Sequence, residues 1–327
     1  MATAFAEDAI FSLFEKSNDN KSGSRLGISY VRAQKSRLEI FLDAESKKTL
    51  FLEQDVADEE AISGVVWDAG LLMIDYLIMM KDAQNINCRH TCLQKNKVNE
   101  QVRDSFPSCM DLKSNRFVLD LGSGTGVVGI SAFHILGQGT NVFFSDKSNA
   151  EHLALQNIEQ SVDFSGYGRD VGEGHVKPDG AFNTNVSTNS TFIAYDWTSI
   201  FDPPLNLVSP YGDIDKAWDM VFCSDVLYDE AMHVPLMNLL KKIRCKKFVF
   251  SYKKRHHLPE KLFFQLLSSW CRLHVVEIEG EVPNATTTVE HPAELAPDEK
   301  RKIRLCNCTS AMTTAGGGLY IVEAVPK

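Results

Sequence analysis

What the chain lacks narrows its class before any motif is read. No apolar run is long enough to cross a bilayer. The longest, Ala69 to Met80, is interrupted by Asp75 and falls short of the roughly 20 apolar residues a spanning helix needs. Met1 to Glu15 carries Glu7, Asp8 and Glu15 where a secretory leader would place basic residues, so no leader and no membrane are expected. Cysteine is sparse and scattered, eight in 327 residues. No two form a CxxC pair. The clusters Cys88, His90 and Cys92, then Cys306 and Cys308, have spacings that zinc sites do not favour, so no metal is expected. Scattered thiols fit a reducing compartment, the cytosol or the nucleus. Positive charge is also in deficit, with 34 Lys and Arg against 43 Asp and Glu and a net charge of -9. Such a surface repels phosphate backbones, so nucleic acid is not the expected partner, whereas a lysine-bearing protein segment is compatible.

What remains is an ordinary globular composition, 44% hydrophobic and 24% charged, long enough to bury a core without staples. Leu26 to Val31, Arg37 to Leu42 and Thr49 to Glu53 are short, partly alternating runs, which read as a β-rich extension over residues 1–60. Val65 to Lys81 places Leu71, Leu72, Ile74, Leu77 and Ile78 at helical spacing, which predicts an amphipathic helix. Beyond it, strand-like runs alternate with helical ones. Strands are expected at Phe117–Leu121, Asn141–Ser145, Thr191–Tyr195, Trp218–Ser224, Lys247–Tyr252, Leu273–Glu279 and Leu319–Val325. Helices are expected at Val127–Leu136, Ser148–Gln160 with Ser148 as N-cap, Glu230–Ile243 and Leu258–Trp270. Polar insertions interrupt this domain, residues 61–327, near 82–115, 161–190 and 280–316. The alternation implies an α/β fold, a mainly parallel, seven-stranded Rossmann-like sheet with helices on both faces. Ligands of such sheets sit at the carboxyl ends of the strands, where the strand order switches.

The residues at those ends are informative. After the first strand comes Asp120-Leu-Gly122-Ser123-Gly124-Thr-Gly126, with Gly129 beyond. Glycines there let a ligand approach the backbone at a helix start. Gly124, Gly126 and Gly129 also satisfy GxGxxG, the dinucleotide fingerprint, so this turn alone leaves NAD and S-adenosylmethionine open. Asp146 ends the second strand, where a carboxylate would bind ribose hydroxyls of either ligand; the alternative is a charge complementing a helix start. Tyr195-Asp196-Trp197 follows the third strand, where an adenine needs a polar partner and a flat apolar face. Trp197 could equally be a core aromatic at a loop edge. Ser224-Asp225-Val-Leu-Tyr228 follows the fourth. Asp225 in that position could also be a helix N-cap, and Tyr228 a rim aromatic.

Taken in order, Gly64-Val-Val-Trp67-Asp68, Asp120 to Gly126, Asp196-Trp197, Asp225 to Tyr228, and the strand ending Ser251-Tyr-Lys-Lys-Arg255 resemble a known family. It is methyltransferase family 16, the seven-β-strand protein lysine methyltransferases, which act on chaperones, an AAA ATPase and translation elongation factors. The resemblance covers roughly Gly64 to Trp270. It implies that S-adenosylmethionine is the cofactor. It implies that Trp67, Gly122, Ser123, Gly124, Asp146, Asp196, Trp197 and Ser224 bind it, and that Asp225 and Tyr228 are catalytic at the channel where a protein substrate's lysine meets the methyl group. Small-molecule or nucleic-acid methylation on the same fold is the alternative. Phe201-Asp202-Pro203-Pro204-Leu205 mimics a motif that stacks a flipped adenine, but Leu205 lacks the aromatic face and the segment follows the wrong strand.

Overall fold

The computed structural model describes residues 35–43, 49–55, 61–93, 116–137, 139–163, 190–255, 257–278, 302–303 and 318–327. The expected strand at Leu26 to Val31, both cysteine clusters as metal ligands, and most of the three polar insertions lie outside the described side chains.

The main sheet is built from β3 (Arg116–Leu121), β4 (Thr140–Asp146), β5 (Ser190–Ala194), β6 (Met220–Ser224), β7 (Phe248–Lys253), β8 (Cys271–Ile278), β9 (Lys302–Ile303) and β10 (Leu319–Pro326). Their spatial order is β5-β4-β3-β6-β7-β10-β8-β9. Pairings from β5 through β7 are parallel, and β10 runs antiparallel between β7 and β8. This is the expected seven-stranded arrangement, lengthened by the two-residue β9 pairing parallel to β8. The central strands read FVLDL, VFFS and MVFC because a sheet covered on both faces admits few polar side chains. The chain runs outward from β3 to β5, then returns to lay β6 on the other side of β3. The strand order therefore switches between β3 and β6, and a cleft opens at their carboxyl ends.

The helix expected at Val65 to Lys81 is α2 (Asp68–Leu93), preceded by a single turn, α1 (Ala61–Gly64). It departs from expectation in two ways. From Asp68 to Ile78 every residue is buried, Asp68 and Asp75 included. This stretch of the helix is therefore packed all round rather than amphipathic. It also continues into residues assigned to the first polar insertion. A buried polar cluster fixes it to the sheet. The Tyr76 hydroxyl donates to Glu323 on β10, and Lys247 Nζ donates to both Glu323 and Tyr76 at 3.1 Å each. Burial pushes the Glu323 carboxyl up, but Lys247 and the Tyr76 hydroxyl outweigh it and hold the carboxyl below the usual range.

The hairpin of β1 (Arg37–Phe41) and β2 (Thr49–Glu53) points Leu38, Ile40, Leu50 and Leu52 into the same core cluster as α2. Asn157 on α4 (Glu151–Asp163) joins the hairpin to the cleft. Its amide accepts from Glu53 N at 2.8 Å and donates to Glu53 O and to Thr125 O in the glycine turn. Ser148, expected as that helix's N-cap, instead opens a short 3-10 turn. Lys147 occupies the cap, with no side-chain cap bond.

Candidate active site

β3 delivers Asp120 into the interior. One carboxylate oxygen accepts from Gly129 N at 2.8 Å, and the other has no partner among the described residues. Burial drives its pKa up to about 7; the Gly129 N–H opposes this rise, and the Asp146 charge adds to it. The bond pins the start of α3 (Val127–Leu136) to the strand end. Gly129 is required for that approach, since a Cβ there would stand 2.3 Å from the Phe144 ring.

Between β3 and α3 the turn passes through Gly122 and Gly124, both with positive φ, a backbone other residues adopt at a cost. Each glycine faces a wall. A Cβ on Gly122 would lie 2.8 Å from Val226 and 3.2 Å from Trp197, and one on Gly124 would lie 3.0 Å from the Ser63 carbonyl. Ser123 Oγ is buried between them without a partner among the described residues. Asp146, at the end of β4, accepts from Gly124 N at 2.8 Å through one oxygen and from Lys147 N at 2.7 Å through the other. Burial nevertheless raises its pKa, against those two N–H groups and the Lys147 charge. After β5, Asp196 accepts from the backbone N–H and the hydroxyl of Thr198, and faces Lys147 at 3.7 Å. Trp197 lies alongside, its Cζ2 and Cη2 edge against Gly122.

On the far side of the switch, Ser224 Oγ accepts from Ser251 Oγ at 3.2 Å and lies near Gly70 of α2. Asp225 follows in a left-handed conformation, φ 53, uncommon for a residue with a Cβ. The geometry is held from β7. Asp225 N donates to Ser251 O, and Arg255 NH1 and NH2 donate to the two carboxylate oxygens at 2.7 Å each. Arg255 N in turn donates to Glu260 on α7 (His257–Ser268), and the guanidinium lies 5.9 Å from the centre of the Trp67 ring. Tyr228 stands at the rim, 39% exposed. Burial first, and then the carboxylates of Asp146, Asp229, Asp225 and Asp196, push its hydroxyl pKa up.

The ten residues singled out from the sequence fall in two groups about the switch. Gly122, Ser123, Gly124, Asp146, Asp196 and Trp197 lie at or just after the carboxyl ends of β3, β4 and β5, Ser224, Asp225 and Tyr228 at or after that of β6, and Trp67 beside Arg255 just beyond β7. The alternative that Asp225 is a helix N-cap fails: the cap of the next turn is Asp229, whose side chain accepts from Ala231 N. The sequence reading left the roles of two residues unread. Arg255 was noted only as a family-typical arginine, because nothing local in sequence ties it to a carboxylate thirty positions away. Asn157 carried no motif at all.

This strand order, with its antiparallel β10 inserted between β7 and β8 and a glycine cradle at the switch point, defines a Rossmann-like methyltransferase. A profile of methyltransferase family 16, described as lysine methyltransferase, matches residues 44–166 and 185–270. The chain belongs to that family, and its methyl donor is S-adenosylmethionine. It is 26% identical over 167 residues to a UPF0665 family protein of Schizosaccharomyces pombe, covering 50% of this chain and 41% of that protein, so it spans about two fifths of that relative's length. Among solved structures it is similar to fibrillarin from Aeropyrum pernix with natively bound S-adenosyl-L-methionine (12% identity, TM-score 0.35, 65% of this chain and 68% of that one). It is also similar to an S-adenosylmethionine-dependent methyltransferase from Aquifex aeolicus (13% identity, TM-score 0.35, 66% and 85%).

Proposed function

We propose that this methyltransferase transfers the methyl group to a lysine side chain of a protein substrate, such as a chaperone, an AAA ATPase or a translation factor, in the cytosol or nucleus. Residues 61–327 are its catalytic unit and residues 1–60 an extension that braces α4. The observation that carries this reading is Tyr228, 39% exposed just after β6, with the carboxylates of Asp146, Asp229, Asp225 and Asp196 all close enough to act on its hydroxyl. An anionic mouth of this kind attracts and orients an ammonium group. The acidic net charge extends the same preference over the surface.

The chain's residues divide the work. The turn from Gly122 to Gly124, with a buried Ser123 hydroxyl that has no partner among the described residues, offers a polar group for a ligand at the start of α3. Asp146 has lone pairs left for ribose hydroxyls, and Asp196 and Trp197 border the adenine. Trp67 and Ser224 close the side toward the methionine part. S-adenosylmethionine, when bound, supplies an electrophilic methyl group on a sulfonium centre. The arriving lysine ammonium, with an ordinary pKa of about 10.4, must first lose a proton. Asp225 is a poor base for this step, because both of its oxygens are held by Arg255. Its part is to fix the turn that carries Tyr228. The Tyr228 oxygen accepts an N–H from the amine and aims the nitrogen lone pair, while the open mouth lets water take the proton.

Incubation of the purified protein with radiolabelled S-adenosylmethionine and a cell extract tests this. Discrete labelled protein bands are expected, and Tyr228→Phe should reduce them about tenfold, the worth of one hydrogen bond in the transition state. Calorimetric affinity for S-adenosylhomocysteine should stay within about twofold. A wild type that binds S-adenosylhomocysteine but labels no protein would transfer the assignment to a small-molecule or nucleic-acid acceptor.

A further inference from the structure

A concavity lies beside Trp197 and shares only that residue with the cofactor-binding set proposed above. It has a volume of about 320 Å³ and lies between the loop after β5 and helix α6 (His233–Lys242). Pro235 and Leu239 form one wall, and Ile200, Phe201 and Pro203 the other. The loop is held by its own bonds. The Tyr195 hydroxyl donates to Phe201 O at 3.0 Å, Phe201 N donates to Ser199 Oγ, and Thr198 is tied to Asp196. Yet this ordered loop leaves Ile200 93% and Phe201 75% exposed at the groove's lip. Adjacent large apolar side chains displayed beside a cavity mark a contact surface rather than ordinary solvent exposure. The charged groups at the groove, Lys242 and Asp202, are paired with each other at 2.5 Å, so its floor carries no unmet charge.

We propose that this groove is the docking site for an apolar side chain of the protein substrate, two or three residues from the target lysine. The inference rests on the protein-lysine reading and adds the sequence class that the site selects. Continuity and charge commit it to that occupant. Trp197 is a shared wall, with one edge against Gly122 in the cradle while the residue also lines the groove. Trp197 meets Val226 over Gly122, and Val226 is two residues before Tyr228, so groove and mouth are neighbours, and a segment advancing about 3.3 Å per residue joins them in a few residues. The carboxylates of Asp146, Asp196, Asp225 and Asp229 all act on the Tyr228 hydroxyl, whereas the carboxylate that lines the groove, Asp202, is paired with Lys242. A segment with a cation followed by a bulky apolar residue matches that division. The exposed leucines of α7, Leu258, Leu262 and Leu266, also form an apolar stripe. None of the three leucines lines the groove, and the stripe serves as the control surface.

The test compares the wild type, Ile200→Ser with Phe201→Ser, and Leu258→Ser with Leu262→Ser. Radiolabelled S-adenosylmethionine and dilute cell extract are the probe, with melting temperature and S-adenosylhomocysteine affinity measured for each protein. The groove variant should lose roughly tenfold of the protein labelling, the effect of removing an interface anchor. The control should lose none, and both should bind S-adenosylhomocysteine like the wild type. The labelled lysine, mapped by mass spectrometry, should have a large apolar neighbour within three positions. Replacing that neighbour with serine in a synthetic peptide should raise KM for the wild type and leave the groove variant's KM unchanged. Equal labelling by the groove variant, or a mapped lysine with no apolar neighbour, overturns the proposal. Sedimentation showing a dimer that the groove substitutions dissociate assigns the lip to a second copy and overturns it as well. Absence of any protein labelling by the wild type defeats the underlying reading and this inference together.

Discussion

Asp120 and Asp225 end or follow adjacent parallel strands, β3 and β6, and both are buried, at 1% and 5% exposure. Their surroundings are opposite. Asp120 meets one backbone N–H and has an oxygen with no described partner, so burial dominates and its carboxyl holds a proton up to about pH 7. Asp225 is gripped by both arms of a guanidinium at 2.7 Å, with α7 backing that arginine through Glu260. The first tightens a glycine turn against a helix start, and the second holds a left-handed backbone residue in place. Two aspartates that look equivalent in a motif therefore do different jobs, decided by what the neighbouring strand supplies.

Breaking the second arrangement should have the largest effect. Arg255→Ala leaves a nearly solvent-free carboxylate unpaired and should cost about 3–5 kcal/mol in denaturant unfolding. The double variant Arg255→Met with Asp225→Asn should recover most of this loss. Asn tolerates the left-handed backbone, and no charge remains to be compensated. A single Arg255→Ala variant as stable as the wild type would show that the pair is solvated and that Asp225 is free to act as a base.

The first arrangement is sharpened by pH. Because the Asp120 pKa is raised in the folded state from 3.8 to about 7, the native protein holds a proton that the unfolded chain has released. Asp120 therefore destabilises the fold progressively as pH rises between those values, and fully above 7. Asp120→Asn removes that slope. The stability difference between variant and wild type should grow in the variant's favour by about 2–3 kcal/mol from pH 5 to pH 8. A difference that does not change with pH would mean that water reaches the second oxygen.

The same contrast explains how much was legible in the sequence. The strand order and the cleft follow from apolar runs separated by helical ones, and the glycine turn is visible because positive φ and close walls select a residue without a side chain. The all-round burial of α2 was hidden, because Asp68 and Asp75 look like a solvent face, and the elements that pack on the helix, β7 and β10 among them, are distant in the sequence. Arg255 and Asn157 were missed for the same reason. Their bonds run to residues 30 and 104 positions away, and no local periodicity encodes a partner at that distance.

The smallest expected effect separates Asp225 from an ordinary cap. Asp229 accepts from Ala231 N at 2.9 Å at the start of the turn leading into α6. Asp229→Ala should therefore cost about 1 kcal/mol, the usual worth of an N-cap. That residue is half-buried and makes no ion pair among the described residues, so the loss should not depend on Arg255. If Asp225 were only a second cap, Asp225→Asn would cost no more than Asp229→Ala, since Asn caps as well as Asp. A bidentate partner predicts otherwise. Asp225→Asn should strand the Arg255 charge and cost clearly more than Asp229→Ala, and adding Arg255→Met should rescue it. Additive behaviour of Asp225→Asn and Arg255→Met in a double-mutant cycle would reduce Asp225 to a capping residue and remove the contrast with Asp120.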